Sequence, residues 1–268
     1  MIFSFRRGII ESASTGQTEK NARKERSDFM SFDPYEFDRG YASSMGDTLG
    51  QYTAKTFLWM MLGLLVTFGV AVGCWVSGAT VYLIYSGMFG AVQLVSLIAT
   101  LALSITMARR IEKMSVGTAI GMFVAFSAIF GLTMSTILLS FRVTAVVLCF
   151  LLTAVYFGAL AAYGYLTKRD LSGMRTILFS GLIFLIIFGL LSIFLPLGAF
   201  DRIVCLVGIA TFLGYTAYDT QKIKAFYSYY SASPEMLAKA SIFSALQLYL
   251  DFINLFLYLL RFLGNKRR

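Results

Sequence analysis

The 268-residue sequence contains no histidine. That removes imidazole-based zinc and haem ligation, Ser-His triads and any histidine proton relay. Its three cysteines, Cys74, Cys149 and Cys205, each fall inside an apolar run and share no paired spacing. They read as small buried hydrophobes, not as a metal or disulfide framework. Charge is scarce too: 14% of residues are Asp, Glu, Lys or Arg, where soluble domains carry about 25%. The net charge of +9 is not a nucleic-acid signal, because the basic residues cluster between apolar runs instead of lining one polar face. No nucleophile–base pair, metal cluster or phosphate-cradling loop stands out, so the chain does not read as an enzyme and no cofactor is expected.

What is present is apolar. Hydrophobic residues make up 58% of the chain and its mean hydropathy is +0.74. Membrane lipid accepts apolar surface on every side, so the expected fold is an all-α integral membrane protein. A crossing helix needs roughly 20 residues for a ~30 Å hydrocarbon core. Seven candidate spans occur, at about 56–77, 85–107, 115–138, 143–166, 175–196, 202–222 and 241–263, giving a seven-transmembrane-helix bundle over residues 55–265. Residues 1–54 are polar, mixed in charge and rich in Ser and Gly, and read as a largely disordered tail. The opening "MIFSFRRGII" is interrupted by Arg6 and Arg7, so no cleaved signal peptide is expected. Gly69/Gly73 and Gly117/Gly121 form GxxxG patterns, which permit close helix approach.

Lys and Arg between the spans predict the orientation. Eight precede the first span. Arg109, Arg110 and Lys113 follow the second, Lys168, Arg169 and Arg175 surround the fourth-to-fifth connection, and Lys222, Lys224 and Lys239 lie between the sixth and seventh. That makes seventeen, against Arg142 and Arg202 in the alternate loops, and puts the N-terminus in the cytoplasm. Arg261, Lys266, Arg267 and Arg268 disagree, since seven full crossings would place them outside.

Of 14 acidic residues, only Asp219 and Asp251 fall within spans. Insertion of such a charge costs about 2.5–3.5 kcal/mol at a helix centre, so a partner, water or a bound cation must offset it. Gln247 and Asn254 lie four before and three after Asp251, and form a polar stripe with it. Tyr215 and Thr216 lie four and three residues before Asp219, on its face of the helix. An arginine of the pair Arg109 and Arg110 shares the inner side with Asp219, which allows a latch between them. Two bland readings stand beside this one: Asp219 as a hydrated helix-end residue, and Asp251 as an interhelical hydrogen-bond anchor. Two close carboxylates cannot both ionise freely and therefore respond to pH. Deprotonated, they form an all-oxygen site suited to Ca²⁺, which makes Asp219 and Asp251 candidate ligands for a transient calcium ion.

"GYTAYDTQKI" and "LQLYLDFINLFLYLLRFLG" resemble the last two motifs of the Bax inhibitor family, also called the transmembrane Bax-inhibitor-motif family. "FGLTMSTIL" and "FGALAAYGYLTKRDLSGM" resemble its middle motifs, and "SITMARRIEKMS" the end of its second helix. The likeness covers about residues 55–265, and the short Tyr-rich tail looks bacterial. The resemblance implies a seven-helix bundle in the inner membrane that leaks Ca²⁺ in a pH-dependent way. It implies a sensor at the positions of Asp219 and Asp251 and a latch at Arg109 or Arg110. Some members carry a carboxylate in the middle of the second helix; here "MFGAVQLVSLIATLALSITM" has none, and Gln93 is its one strong polar group.

The two function classes are therefore a pH-gated calcium leak channel, with lipid and Ca²⁺ as its partners, and a non-transporting regulator of a membrane-bound protease or stress response. A retinal photoreceptor is excluded, because every lysine lies in a tail or at a span edge. The "YDT" context lacks the GxGD pattern of two-aspartate intramembrane proteases.

Overall fold

The computed structural model describes residues 47–196 and 198–264. Their elements are the α-helices α1 (Leu49–Val76), α2 (Ala79–Tyr85), α3 (Phe89–Arg110), α4 (Val116–Ser140), α5 (Val143–Leu166), α6 (Arg175–Phe194), α7 (Asp201–Tyr230) and α8 (Pro234–Leu263). Single 3-10 turns at Ser172–Met174 and Gly198–Phe200 join them. All but α2 are long and apolar enough to cross a membrane, giving seven candidate crossings among the described residues. The protein is an all-α membrane bundle. The tail assigned to residues 1–54 lies outside the described residues as far as residue 46.

Local chemistry sets the helix ends. Thr48 caps α1 through a reciprocal box with Gln51, so the helix starts at Leu49, ahead of the apolar run that marked it in the sequence. The expected span at 85–107 is α3, which starts at Phe89, and the connection before it holds the short helix α2. Gly78 and Gly87, both with φ of +71°, supply the left-handed turns that bound α2. Leu195 is extended ahead of Pro196, which stops α6.

The larger departure is at the end of the chain. α7 and α8 each run 30 residues, or about 45 Å, well beyond a ~30 Å hydrocarbon core. Hydropathy falls after Lys222, but helix continues to Tyr230. After a short turn, Ser233 caps α8 and Pro234 takes its first position. α8 therefore begins seven residues before the apolar stretch at 241. It then runs the whole length of α7, and Arg261 Nη2 meets Asp201 Oδ1 at 2.6 Å where α7 begins.

α8 is the hub. It packs against α7, α1, α5 and α4, while α3 packs chiefly on α4 and α6 on α7. Of its apolar stretch 67% is buried inside the bundle, against 11% for the span of α6. A central helix cannot leave polar groups to water, and several of those of α8 are matched by neighbours. Ser241 Oγ pairs with Thr56 Oγ1 at 3.0 Å, and Tyr249 Oη pairs with Thr67 Oγ1 at 2.6 Å. The Tyr249 ring is enclosed edge-on by Phe123, Phe126 and Phe130 of α4. Lys239 is 3% exposed, and its ammonium donates to the carbonyls of Glu112 and Met114 at 3.2 and 3.1 Å and to Glu235 at 3.2 Å.

Close helix approach uses other glycines than the GxxxG pairs. Gly69, Gly73 and Gly121 have open space where a Cβ would stand, and Gly117 has only Ser115 Oγ at 3.9 Å. Gly164 of α5 instead lies against the backbone of Ala217 in α7, and Gly208 of α7 lies under the Tyr258 ring of α8. Sequence spacing cannot tell an outward glycine pair from an inward one. Cys149 and Cys205 are buried and Cys74 is half-buried, all three as free thiols.

Candidate functional site

Three contacts fix the antiparallel register of α7 and α8: Phe226 with Phe243, Lys222 Nζ with Gln247 Oε1 at 3.5 Å, and Phe212 with Tyr258. In that register Asp219 stands level with Asp251. Asp219 lies 11 residues before the end of α7 and Asp251 lies 17 residues after the start of α8, and the two are level because the first turns of α8 lie beyond the end of α7. The close crossing of Gly164 over Ala217 presses this part of α7 into the bundle, two residues before Asp219. Both aspartates are buried, 8% and 5% exposed.

The two carboxylates interact electrostatically, and Lys222 acts on both. Among the described residues, Oδ2 of Asp251 is buried without a hydrogen-bond partner. In a membrane interior such an orphaned oxygen is costly, so it marks a place where something other than packing is being served.

The supporting polar residues divide. Tyr215 is half-buried and feels the charge of both carboxylates and, more weakly, that of Arg175 at the start of α6. Gln247 holds Lys222, as above. Thr216 is turned to its own helix, donating to the Phe212 carbonyl at 2.8 Å. Asn254 likewise donates to Leu250 O at 2.8 Å. The stripe of Gln247, Asp251 and Asn254 is thus present as a face but not as a hydrogen-bonded chain.

The structure does not bring Arg109 or Arg110 to Asp219. Both are exposed, and neither has an ion pair among the described residues. The physical reason is that α3 packs chiefly on α4, and the turn after it meets α7 at Tyr230, eleven residues beyond Asp219. The cation beside the acids is Lys222, which the sequence reading left in a loop. Its signal was available, since three residues after Asp219 is the same helix face.

Among the described residues no group of three or more His, Cys, Asp and Glu side chains gathers in one place. An ion at the pair would therefore have two carboxylates and nearby amide, hydroxyl or water oxygens as ligands.

A family model described as "Inhibitor of apoptosis-promoting Bax1" matches residues 49–268. The chain belongs to the Bax inhibitor family. Its match begins at the first residue of α1 and includes every crossing helix described above. Among curated relatives of this family member, the "Inner membrane protein YbhL" of Escherichia coli strain K12 is 41% identical over 220 residues, covering 82% of this chain and 93% of that protein. An uncharacterized protein of Rickettsia prowazekii is 38% identical over 82% of this chain and 91% of its own length. One of Caulobacter vibrioides is 32% identical over 87% of this chain and 99% of its own.

Proposed function

We propose that the protein is a pH-sensitive calcium leak channel of the bacterial inner membrane, gated by the Asp219/Asp251 pair, with its N-terminus in the cytoplasm. The observation that carries this reading is the juxtaposition of two buried acids at one height on adjacent helices, one with an unpartnered oxygen. Two such carboxylates share a proton in acid and offer paired oxygens when deprotonated. Lys222 stands where a counter-charge is needed, so a permeating cation competes with its ammonium for the same oxygens. The groups that act on the pair electrostatically are Lys222 and Tyr215 of α7, with Arg175 acting on Tyr215. The inner-membrane assignment draws on the name of the Escherichia coli relative. The orientation draws on basic charge: among the described residues the end holding the α7–α8 turn carries Arg109, Arg110, Lys113, Lys168, Arg169 and Arg175, and the other end Arg142, Arg202 and Arg261.

The test is calcium entry into liposomes containing the purified protein, followed across pH. Wild type should show pH-dependent flux, and the Asp219→Asn/Asp251→Asn double variant should lose the dependence. Equal flux from both at every pH refutes the mechanism.

A second reading, a non-transporting regulator of a membrane-bound protease, draws on an almost wholly apolar groove of about 270 Å³ between α1, α4, α5 and α8. Stable co-purification of a protease, without flux at any pH, would favour it.

A further inference from the structure

Arg109 and Arg110 fill the last turn of α3, and Lys113 lies in the turn that follows. With Thr106 and Thr118 they line an open cavity of about 630 Å³ between α3 and α4, backed by Met114 and Met122. No carboxylate pairs with any of the three cations among the described residues. The one acid of the same turn, Glu112, is occupied elsewhere: it accepts from Tyr230 Oη of α7 at 3.4 Å. The turn is also held from behind, since the buried Lys239 ammonium of α8 binds the carbonyls on either side of Lys113. The cations are thus presented on a braced backbone.

Basic residues in a last helical turn complement the helix dipole, and that accounts for Arg109 and Arg110 taken alone. It does not account for Lys113, for the cavity, or for the thioether wall behind the charges. We infer that this cavity binds the phosphate of an anionic phospholipid headgroup. It lies where a crossing helix ends, at the level of lipid phosphates. Arginine forks match phosphate oxygens in pairs, the threonine hydroxyls add donors, and Met114 and Met122 meet the apolar start of the lipid. Basic pockets between crossing helices hold lipid headgroups by this combination. The site is independent of the calcium reading, because it involves neither aspartate.

The test uses the full chain purified in detergent and native mass spectrometry with added phosphatidylglycerol or phosphatidylcholine. Wild type should retain phosphatidylglycerol in preference to phosphatidylcholine. The Arg109→Gln/Arg110→Gln/Lys113→Gln variant should retain it on the order of 100-fold more weakly, from about one surface-cation contribution for each charge removed. Arg142→Gln/Arg202→Gln, at the other end of the bundle, should behave as wild type. Should the triple variant fail to fold, the single Lys113→Glu variant carries the same expectation in smaller measure. Unchanged retention in the cavity variants, or equal retention of the two lipids by wild type, overturns the proposal. Displacement of phosphatidylglycerol by an equal concentration of inorganic phosphate overturns the lipid as its source.

Discussion

Replacing Asp251 by Asn separates a functional acid from a structural one. The two side chains have nearly one shape, so the substitution changes charge and proton capacity but not packing. Asp251 is 5% exposed, and its Oδ2 has no hydrogen-bond partner among the described residues. An isolated charge at such a depth costs about 2.5–3.5 kcal/mol. Lys222 offsets part of that, but its nearest hydrogen-bonding atom is the Gln247 oxygen at 3.5 Å, not a carboxylate. Asn should therefore stabilise the bundle by about 1–3 kcal/mol where the carboxyl is ionised. For a chain of this size that is roughly 2–8 °C in Tm. In acid the carboxyl is protonated and neutral like the amide, and the advantage should vanish. Thermal unfolding in detergent at pH 5 and pH 9 measures both. A fall in Tm at both pH values would refute the reasoning, because it would mean that the carboxylate ties α8 to its neighbours.

Other outcomes follow from single contacts. Lys239→Met should lower stability by about 1–3 kcal/mol, since it strands the carbonyls of Glu112 and Met114 at the end of α3; the same thermal assay reads it, and no loss would mean that water replaces the ammonium. Gly164→Val should be among the most damaging substitutions, because a Cβ there collides with the Ala217 backbone and forces α5 off α7; the yield of folded protein by size exclusion checks it. Asp170 lies outside the spans, and its carboxyl is held below the ordinary aspartate range by the backbone N–H and hydroxyl of Ser172. A depressed carboxyl contributes stability above its ordinary pKa and loses it as pH falls through the lowered value, so this turn stays charged until well into acid. Asp170→Ala should leave the pH profile of calcium flux unmoved, and a displaced profile would move the sensor to this turn.

The seven crossings were legible because each needs a long apolar run, and lipid enforces that. Their ends were less so. Lys222 to Tyr230 is polar enough to look like a loop, and only the Ser233–Pro234 start of α8 shows that the helices continue to meet there. That misplacement hid Lys222 as the cation of the site, while the level heights of Asp219 and Asp251 come from the register of α7 and α8, which hydropathy does not record. The acids themselves stood out because a carboxylate in lipid needs a reason. The inward glycines were not legible, since Gly164 and Gly208 are chosen by what crosses them, which spacing along one helix does not record.

The hub position of α8 bears on how the chain is made. Among the described helices α8 is synthesised last, yet it supplies the centre against which α1, α4, α5 and α7 pack. Until it arrives, Thr56 and Thr67 of α1 have no Ser241 or Tyr249 to meet, and Asp219 enters lipid without its companion. The earlier helices can be threaded one at a time, but they form an unfilled ring. A nascent chain stopped before residue 234 is then an open scaffold and not a smaller version of the protein.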